Sequence, residues 1–260
     1  MAAARDSVAA AIQAAAAGGR PALVGFLTAG FPTRRGFKDN LAAVAGVCDV
    51  VEIGVPFSDP MADGTTVQRA SFVALNDGVT LTWILEELKS LHPRHAAPIL
   101  LMSYLNPLLS IGLDLLPRSA AEAGVAGFIV PDLPFEESRD LKQALDREGL
   151  ALIQMVTPVT PPERLAMLCR EAQGFVYAVT MTGTTGKSAE VPPEVLEYMD
   201  RVKRCSTVPV CAGFGIRSRS QVARFAGHVD GVVVGSALVE ALERGEDVAA
   251  FLRSLRQDPV

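Results

Sequence analysis

The chain has 260 residues, 49% apolar and 20% charged, a balance that supplies a sizeable core and excludes a disordered or low-complexity chain. At about 100–200 residues per domain, length alone permits one large or two small domains. Lys+Arg 24 against Asp+Glu 29 leaves a net charge of −5, which excludes the basic footprint of a nucleic-acid binder; any anionic ligand must be held locally.

The alanine-rich start, residues 2–17, is interrupted by Arg5, Asp6 and Gln13 and sets Val8, Ile12 and Ala15 at helical spacing, predicting an amphipathic helix. No apolar run reaches the roughly 18 residues of a membrane span, so no membrane partner is expected. Eight short apolar runs follow as predicted strands, at 22–27, 50–54, 99–103, 127–130, 151–156, 175–179, 208–212 and 231–234. Between them lie helix-period segments: Phe37, Leu41, Val44 and Cys48 share one face, and Leu81, Ile84, Leu85, Leu88 and Leu91 another. Thr160 to Glu163 and Ser218 to Gln221 read as capping boxes. The longest strand separations flag inserted loops at 55–77 and 180–191, and no linker divides the chain, so residues 1–260 are expected to form one domain. Strand and helix alternating eight times predict an α/β chain closed into a (β/α)8 TIM barrel, with an extra helix before the first strand and another after the eighth. A doubly wound open sheet is the alternative, opposed by the lack of G-x-G-x-x-G after the first strand.

In such a barrel the active site occupies the C-terminal strand ends, so residues sort by the connection that carries them. His92, His95 and His228 fall in helix-to-strand connections, on the wrong face for catalysis. Cys48, Cys169, Cys205 and Cys211 are scattered without C-x-x-C spacing, which predicts a reducing, cytoplasmic setting. No cluster of His, Cys or carboxylates has ligand spacing, so no metal is expected.

Carboxylates remain as the acid–base groups. Glu52 interrupts the run Val50-Val-Glu-Ile-Gly-Val55 just before the end of the second strand. It reads either as half of an ion pair or as a carboxyl aimed into the barrel mouth, where desolvation raises its pKa from about 4.3 into the range of proton transfer. The loop Pro56-Phe-Ser-Asp59-Pro-Met-Ala-Asp63-Gly64 adds two acids; Asp63-Gly64 alone reads as a turn, and its place on the catalytic face makes Asp63 a candidate. Asp132 is a further mouth carboxylate, and Glu136 and Glu137 are expected to serve the dipole of the next helix. Gly213-Phe-Gly215 and Gly235-Ser236, after the seventh and eighth strands, match the barrel phosphate site of bare backbone N–H groups and a helix N-terminus. The stretch Thr182-Gly-Thr-Thr185-Gly-Lys187 lacks the spacing of a nucleotide loop and reads as a flexible lid.

These residues, together with Phe26-Leu-Thr-Ala-Gly30-Phe-Pro32, Tyr104-Leu-Asn106-Pro107, Asp132-Leu-Pro134 and Tyr177, occur in an order that resembles the tryptophan synthase α-subunit family, from about Pro21 to the last helix. The resemblance implies retro-aldol cleavage of indole-3-glycerol phosphate to indole and glyceraldehyde 3-phosphate. It implies a β-subunit partner in an α2β2 heterotetramer, with pyridoxal phosphate on that partner and no cofactor on this chain. By motif it makes Glu52 and Asp63 the catalytic pair, has Thr185 close the lid, and gives phosphate to Gly186, Gly215, Gly235 and Ser236. Phe26, Tyr104, Tyr177 and Phe214 are the expected indole pocket, and Asp59 and Pro60 the expected partner contact. Where family members commonly have proline after Asp-Gly, this chain has Thr65, and where many carry a lid arginine it has Met181. The alternatives are another phosphosugar barrel enzyme, a lyase that releases indole alone, and a non-catalytic activating partner.

Overall fold

The computed structural model describes residues 4–91, 97–180, 191–213 and 215–256. Eight parallel strands close into a barrel in sequence order, β1 (Ala22–Thr28), β2 (Val50–Gly54), β3 (Ile99–Met102), β4 (Val125–Ile129), β5 (Ala151–Val156), β6 (Val176–Val179), β7 (Val210–Gly213) and β8 (Gly231–Val234), with β8 returning to β1. All eight predicted strands are present, with ends moved by one or two residues. Their near-continuous burial follows from being covered on both faces, inside by one another and outside by helices.

Helix α1 (Ala4–Ala17) precedes the barrel, and α2 (Phe37–Ala45) connects β1 to β2. Two helices, α3 (Thr65–Asn76) and α4 (Leu81–Ser90), lead to β3; two more, α5 (Leu105–Ile111) and α6 (Leu116–Glu122), lead to β4. Single helices α7 (Arg139–Arg147), α8 (Pro162–Glu171), α9 (Pro193–Cys205) and α10 (Arg219–Phe225) serve the later strands, and α11 (Ser236–Glu243) and α12 (Val248–Leu255) follow β8. None of the described helices is long and apolar enough to cross a membrane.

Val8, Ile12 and Ala15 of α1 are buried in one cluster with barrel-interior residues from the early part of the strands, among them Ala22, Val50, Ala126 and Ala151. Helix α1 packs on β1, β2 and β4 and therefore floors the barrel, each large aliphatic side chain it buries contributing about 1.5–3 kcal/mol. Its start is fixed to the frame by Arg5, whose amide donates to the Gly149 carbonyl and whose guanidinium pairs with Asp146 at 3.0 Å.

Three local expectations are corrected. Residues 55–77 are not one loop, because α3 occupies the second half; its buried face is Ala70, Ser71 and Ala74, small side chains that carry the helical period weakly in sequence. Thr160 does not cap α8. Its hydroxyl accepts from the Thr157 amide at 3.0 Å, and Pro161 takes the cap position ahead of Pro162. Ser218 and Gln221 do form their capping box, at α10. Glu136 and Glu137 lie in a 3-10 turn (Phe135–Glu137) that precedes α7, and Glu136 is engaged by both Nη groups of Arg164 rather than by the helix terminus.

Candidate active site

Glu52 and Phe26 are register partners on β2 and β1, which puts the acid next to an aromatic ring inside the barrel. Its side chain is buried, 1% exposed, and neither Oε1 nor Oε2 has a hydrogen-bond partner among the described residues. The ion-pair reading of Glu52 therefore has no cation behind it among these residues. Burial first, and the charge of Asp63 second, push the Glu52 carboxyl up to about 8, so that it is mostly protonated at neutral pH. The Thr28 hydroxyl, near the top of β1, is buried and without a partner among the described residues as well.

Asp63 is held above Glu52 by the loop after β2. The loop wraps Tyr104: Phe57 stacks on the tyrosine ring with centroids 5.1 Å apart, and the Ala62 amide donates to the tyrosine hydroxyl at 2.8 Å. The Tyr104 hydroxyl is also hydrogen-bonded to the Asp63 carboxylate. Partial burial raises the Asp63 carboxyl to about 6 while this hydrogen bond acts in the opposite direction. The two acids are thus separated in strength, Glu52 as a proton donor and Asp63 as an anion at pH 7.

Glycines create the space around them. A Cβ on Gly54 would sit 2.6 Å from Phe26 Cζ, and one on Gly213 would sit 2.1 Å from Tyr177 Cε1. The rings of Phe26 and Tyr177 lie flat on neighbouring strands only because those positions have no side chain. At Gly215 (φ +79) and Gly235 the situation differs: among the described residues a Cβ at Gly215 would meet nothing within 4 Å, and at Gly235 nothing nearer than Phe26 Cβ at 3.9 Å. Neither backbone is crowded by the described residues. Gly235 precedes α11, whose first residue is the half-buried Ser236, so the first-turn N–H groups face the same side as the strand ends.

A cleft of about 10 Å³ runs between Phe26, Gly54, Asp63, Met102 and Tyr104. A larger cavity of about 320 Å³ opens beside it, lined by Met102, Leu133, Met155 and Val179 and also by Thr157, Thr160 and Arg164. Three of the four aromatic residues singled out from sequence, Phe26, Tyr104 and Tyr177, thus lie near the carboxylates, while the larger cavity has a wall of mixed character that sequence reasoning did not single out. Its signal is present in retrospect, because Met102, Met155 and Val179 are at or near the C-terminal ends of their strands.

Other candidates resolve into supporting roles. Asp132 is exposed and its carboxylate accepts from the Leu105 amide at 2.9 and 3.2 Å, capping α5. His228 lies between α10 and β8 and pairs with Asp200 at 2.8 Å. Burial raises the thiols of Cys48, to about 12, and Cys169, to about 11, and so disfavours the thiolate. Among the described residues no group of three His, Cys, Asp or Glu side chains is placed to hold a metal ion. Asp59 and Pro60 are on the rim, next to Met61 at 86% exposure. Thr185, Gly186, Phe214, Met181, His92 and His95 lie outside the described residues.

Comparison with known proteins agrees with this geometry. A family model described as "Tryptophan synthase alpha chain" matches residues 12–257. The tryptophan synthase alpha chain of Solidesulfovibrio magneticus is 48% identical over 246 residues, covering 94% of this chain and 96% of that protein. That of Geobacter sulfurreducens is 43% identical, covering 92% and 93%. Among solved structures, tryptophan synthase from M. tuberculosis superposes with a TM-score of 0.87 at 35% identity, covering 96% of both chains. A tryptophan synthase complex from Pyrococcus furiosus gives a TM-score of 0.83 at 31% identity, covering 91% of this chain and 98% of that one. With a buried and a half-buried acid at a barrel mouth, glycine turns after β7 and β8, and matches along nearly its whole length, the chain belongs to the tryptophan synthase alpha chain family, lyases of tryptophan biosynthesis that cleave indole-3-glycerol phosphate.

Proposed function

We propose that Glu52 and Asp63 perform the cleavage in this chain, Glu52 by shuttling one proton and Asp63 by holding charge. The observation that carries the reading is the buried Glu52 carboxyl, without a partner among the described residues and raised to about 8 beside an Asp63 at about 6. Protonated Glu52 delivers its proton to C3 of the indole, which turns the ring into an indolenium cation. Anionic Asp63 accepts the ring N–H and stabilises that charge. The Glu52 carboxylate then removes the proton of the glycerol hydroxyl beside the breaking bond. The C–C electron pair returns to the ring, indole and glyceraldehyde 3-phosphate separate, and Glu52 is again protonated. Every proton is returned and no atom changes hands with an outside reagent, so the step balances with these two carboxyls.

The indole ring is assigned to the mouth, against Phe26, Tyr104 and Tyr177 and towards the Met102 side of the larger cavity. The phosphate is assigned to Gly215, Gly235 and Ser236, where backbone N–H groups let an acidic chain bind an anion. Thr185 as the residue that closes the lid, Gly186 as a further phosphate contact and Phe214 as a pocket wall complete the reading on sequence alone. Asp59 and Pro60, with exposed Met61, form the rim against which we place a β subunit in an α2β2 assembly. Pyridoxal phosphate belongs to that partner, which consumes the indole. We take residues 1–260 as one domain and place the protein in the cytoplasm, in keeping with four free cysteines.

Asp63→Asn tests the assignment, with indole release from indole-3-glycerol phosphate as the readout and substrate affinity measured in parallel. Turnover should fall by roughly 10²–10⁴ while affinity changes little. Lost affinity with turnover retained would make Asp63 a ground-state contact and defeat the assignment. Repeating wild-type turnover with a β subunit at saturation separates a coupled subunit, accelerated about 5–150-fold, from a lyase that works alone.

A further inference from the structure

Helices α3 and α11 lie side by side, and a single carboxylate joins them at the end nearest the mouth. Thr66, three residues beyond Asp63 and in the first turn of α3, donates from its hydroxyl to Glu240 Oε1 at 3.2 Å. Arg217, two residues beyond Gly215, donates both Nη groups to the same carboxylate, at 2.7 Å to Oε2 and 2.9 Å to Oε1. Glu240 itself is one helical turn below Ser236 on α11. One side chain thus bonds the segment after Asp63 and the segment after Gly215 while belonging to the helix that starts at the phosphate cradle. One turn further along both helices, Arg69 grips Glu243 at 2.9 and 2.6 Å, so the pair of helices is held in a fixed register. That second contact joins only α3 and α11; among the described residues Glu240 is the side chain that reaches all three elements.

We propose that Glu240 is a positioning residue through which occupation of the phosphate cradle fixes the placement of Asp63. The inference rests on the reading of the cradle and of Asp63 given above. A phosphate seated on the backbone of Gly215 and Ser236 immobilises the two segments to which Glu240 is anchored. The carboxylate then holds the α3 start, through Thr66, in one place. Binding energy from a part of the substrate that does not react is in this way expressed in the rate of the step that does.

The test divides the substrate into two pieces. Cleavage of indole-3-glycerol, which lacks the phosphate, is measured with and without phosphite dianion in wild type, Glu240→Ala, Thr66→Val and Thr66→Ser, and phosphite binding is measured by calorimetry. Phosphite should accelerate the wild type. Glu240→Ala and Thr66→Val should each lose about tenfold of that acceleration with phosphite affinity changed by less than about threefold, and Thr66→Ser, which keeps the hydroxyl, should retain it. Thr66→Val leaves the Arg217 pair intact and serves if Glu240→Ala folds poorly. Acceleration that survives in Thr66→Val and in any folded Glu240→Ala overturns the coupling and leaves the cradle standing, even if melting temperatures fall. Phosphite that binds the wild type without accelerating it does the same. Wild type that binds no phosphite overturns the cradle and the coupling together.

Discussion

The Tyr104 hydroxyl serves Asp63 twice, by accepting the amide of the preceding Ala62 at 2.8 Å and by hydrogen-bonding the carboxylate itself. The end of β3 thereby fixes both the position and the acidity of a group carried by the loop after β2. Tyr104→Phe removes the one interaction that lowers the Asp63 pKa, so that pKa should rise above about 6. A smaller fraction of Asp63 is then ionised at any given acidic pH. Cleavage by the variant should fall about 3–10-fold at pH 6 and recover in part by pH 7.5, as a pH–rate series will reveal.

In the wild type the two carboxyls predict a bell-shaped profile of kcat/KM against pH. Activity should climb as Asp63 ionises, near 6, and decline as Glu52 loses its proton, near 8. The limbs belong to the interacting pair rather than to either residue alone. A profile flat from pH 5 to 9, with indole release as the assay, would contradict the assigned protonation states.

Glu52→Gln should lose roughly 10²–10⁴ in turnover and at the same time become the more stable protein at alkaline pH. The sign follows from linkage. The carboxyl is raised from 4.5 to about 8 on folding, so its stabilising proton is fully present below 4.5 and lost as pH rises towards 8. Urea midpoints of wild type and variant should separate progressively between pH 4.5 and 8, in favour of the amide.

The two kinds of glycine predict two kinds of defect. Gly213→Ala drives a methyl into the Tyr177 ring, 2.1 Å from Cε1, where the side chain is 5% exposed and has nowhere to turn. A loss of about 1–3 kcal/mol in denaturant unfolding is expected. Gly235→Ala meets no atom of the described residues nearer than 3.9 Å, so stability should stay within about 0.5 kcal/mol of wild type while the Michaelis constant rises about tenfold. Glycerol phosphate competition reads the same site directly.

The barrel was legible in sequence because each strand is a short apolar run and each helix keeps its large aliphatic residues on one face, as at Leu81, Ile84, Leu85 and Leu88. Helix α3 was not, since its inward side is Ala70, Ser71 and Ala74, whose periodicity is faint. Glu52 announced itself as a charge within an apolar strand; Asp63 needed the barrel before its turn acquired meaning. The Tyr104 contact to Ala62 spans 42 residues, and the Thr66 contact to Glu240 spans 174, distances at which only tertiary structure defines neighbours. Asp132 is a mouth carboxylate whose local role, capping α5 through the Leu105 amide, also spans elements that sequence does not bring together.

The helix beneath the barrel has a consequence for traffic. With Val8 and Ile12 fully buried against the lower interior, the cylinder is a blind well rather than a pipe. Among the described residues, whatever enters from above must also leave upwards, through the same mouth. On the reading proposed above, the destination of a small apolar product is then decided by what covers that opening, with no need for a valve inside the barrel itself.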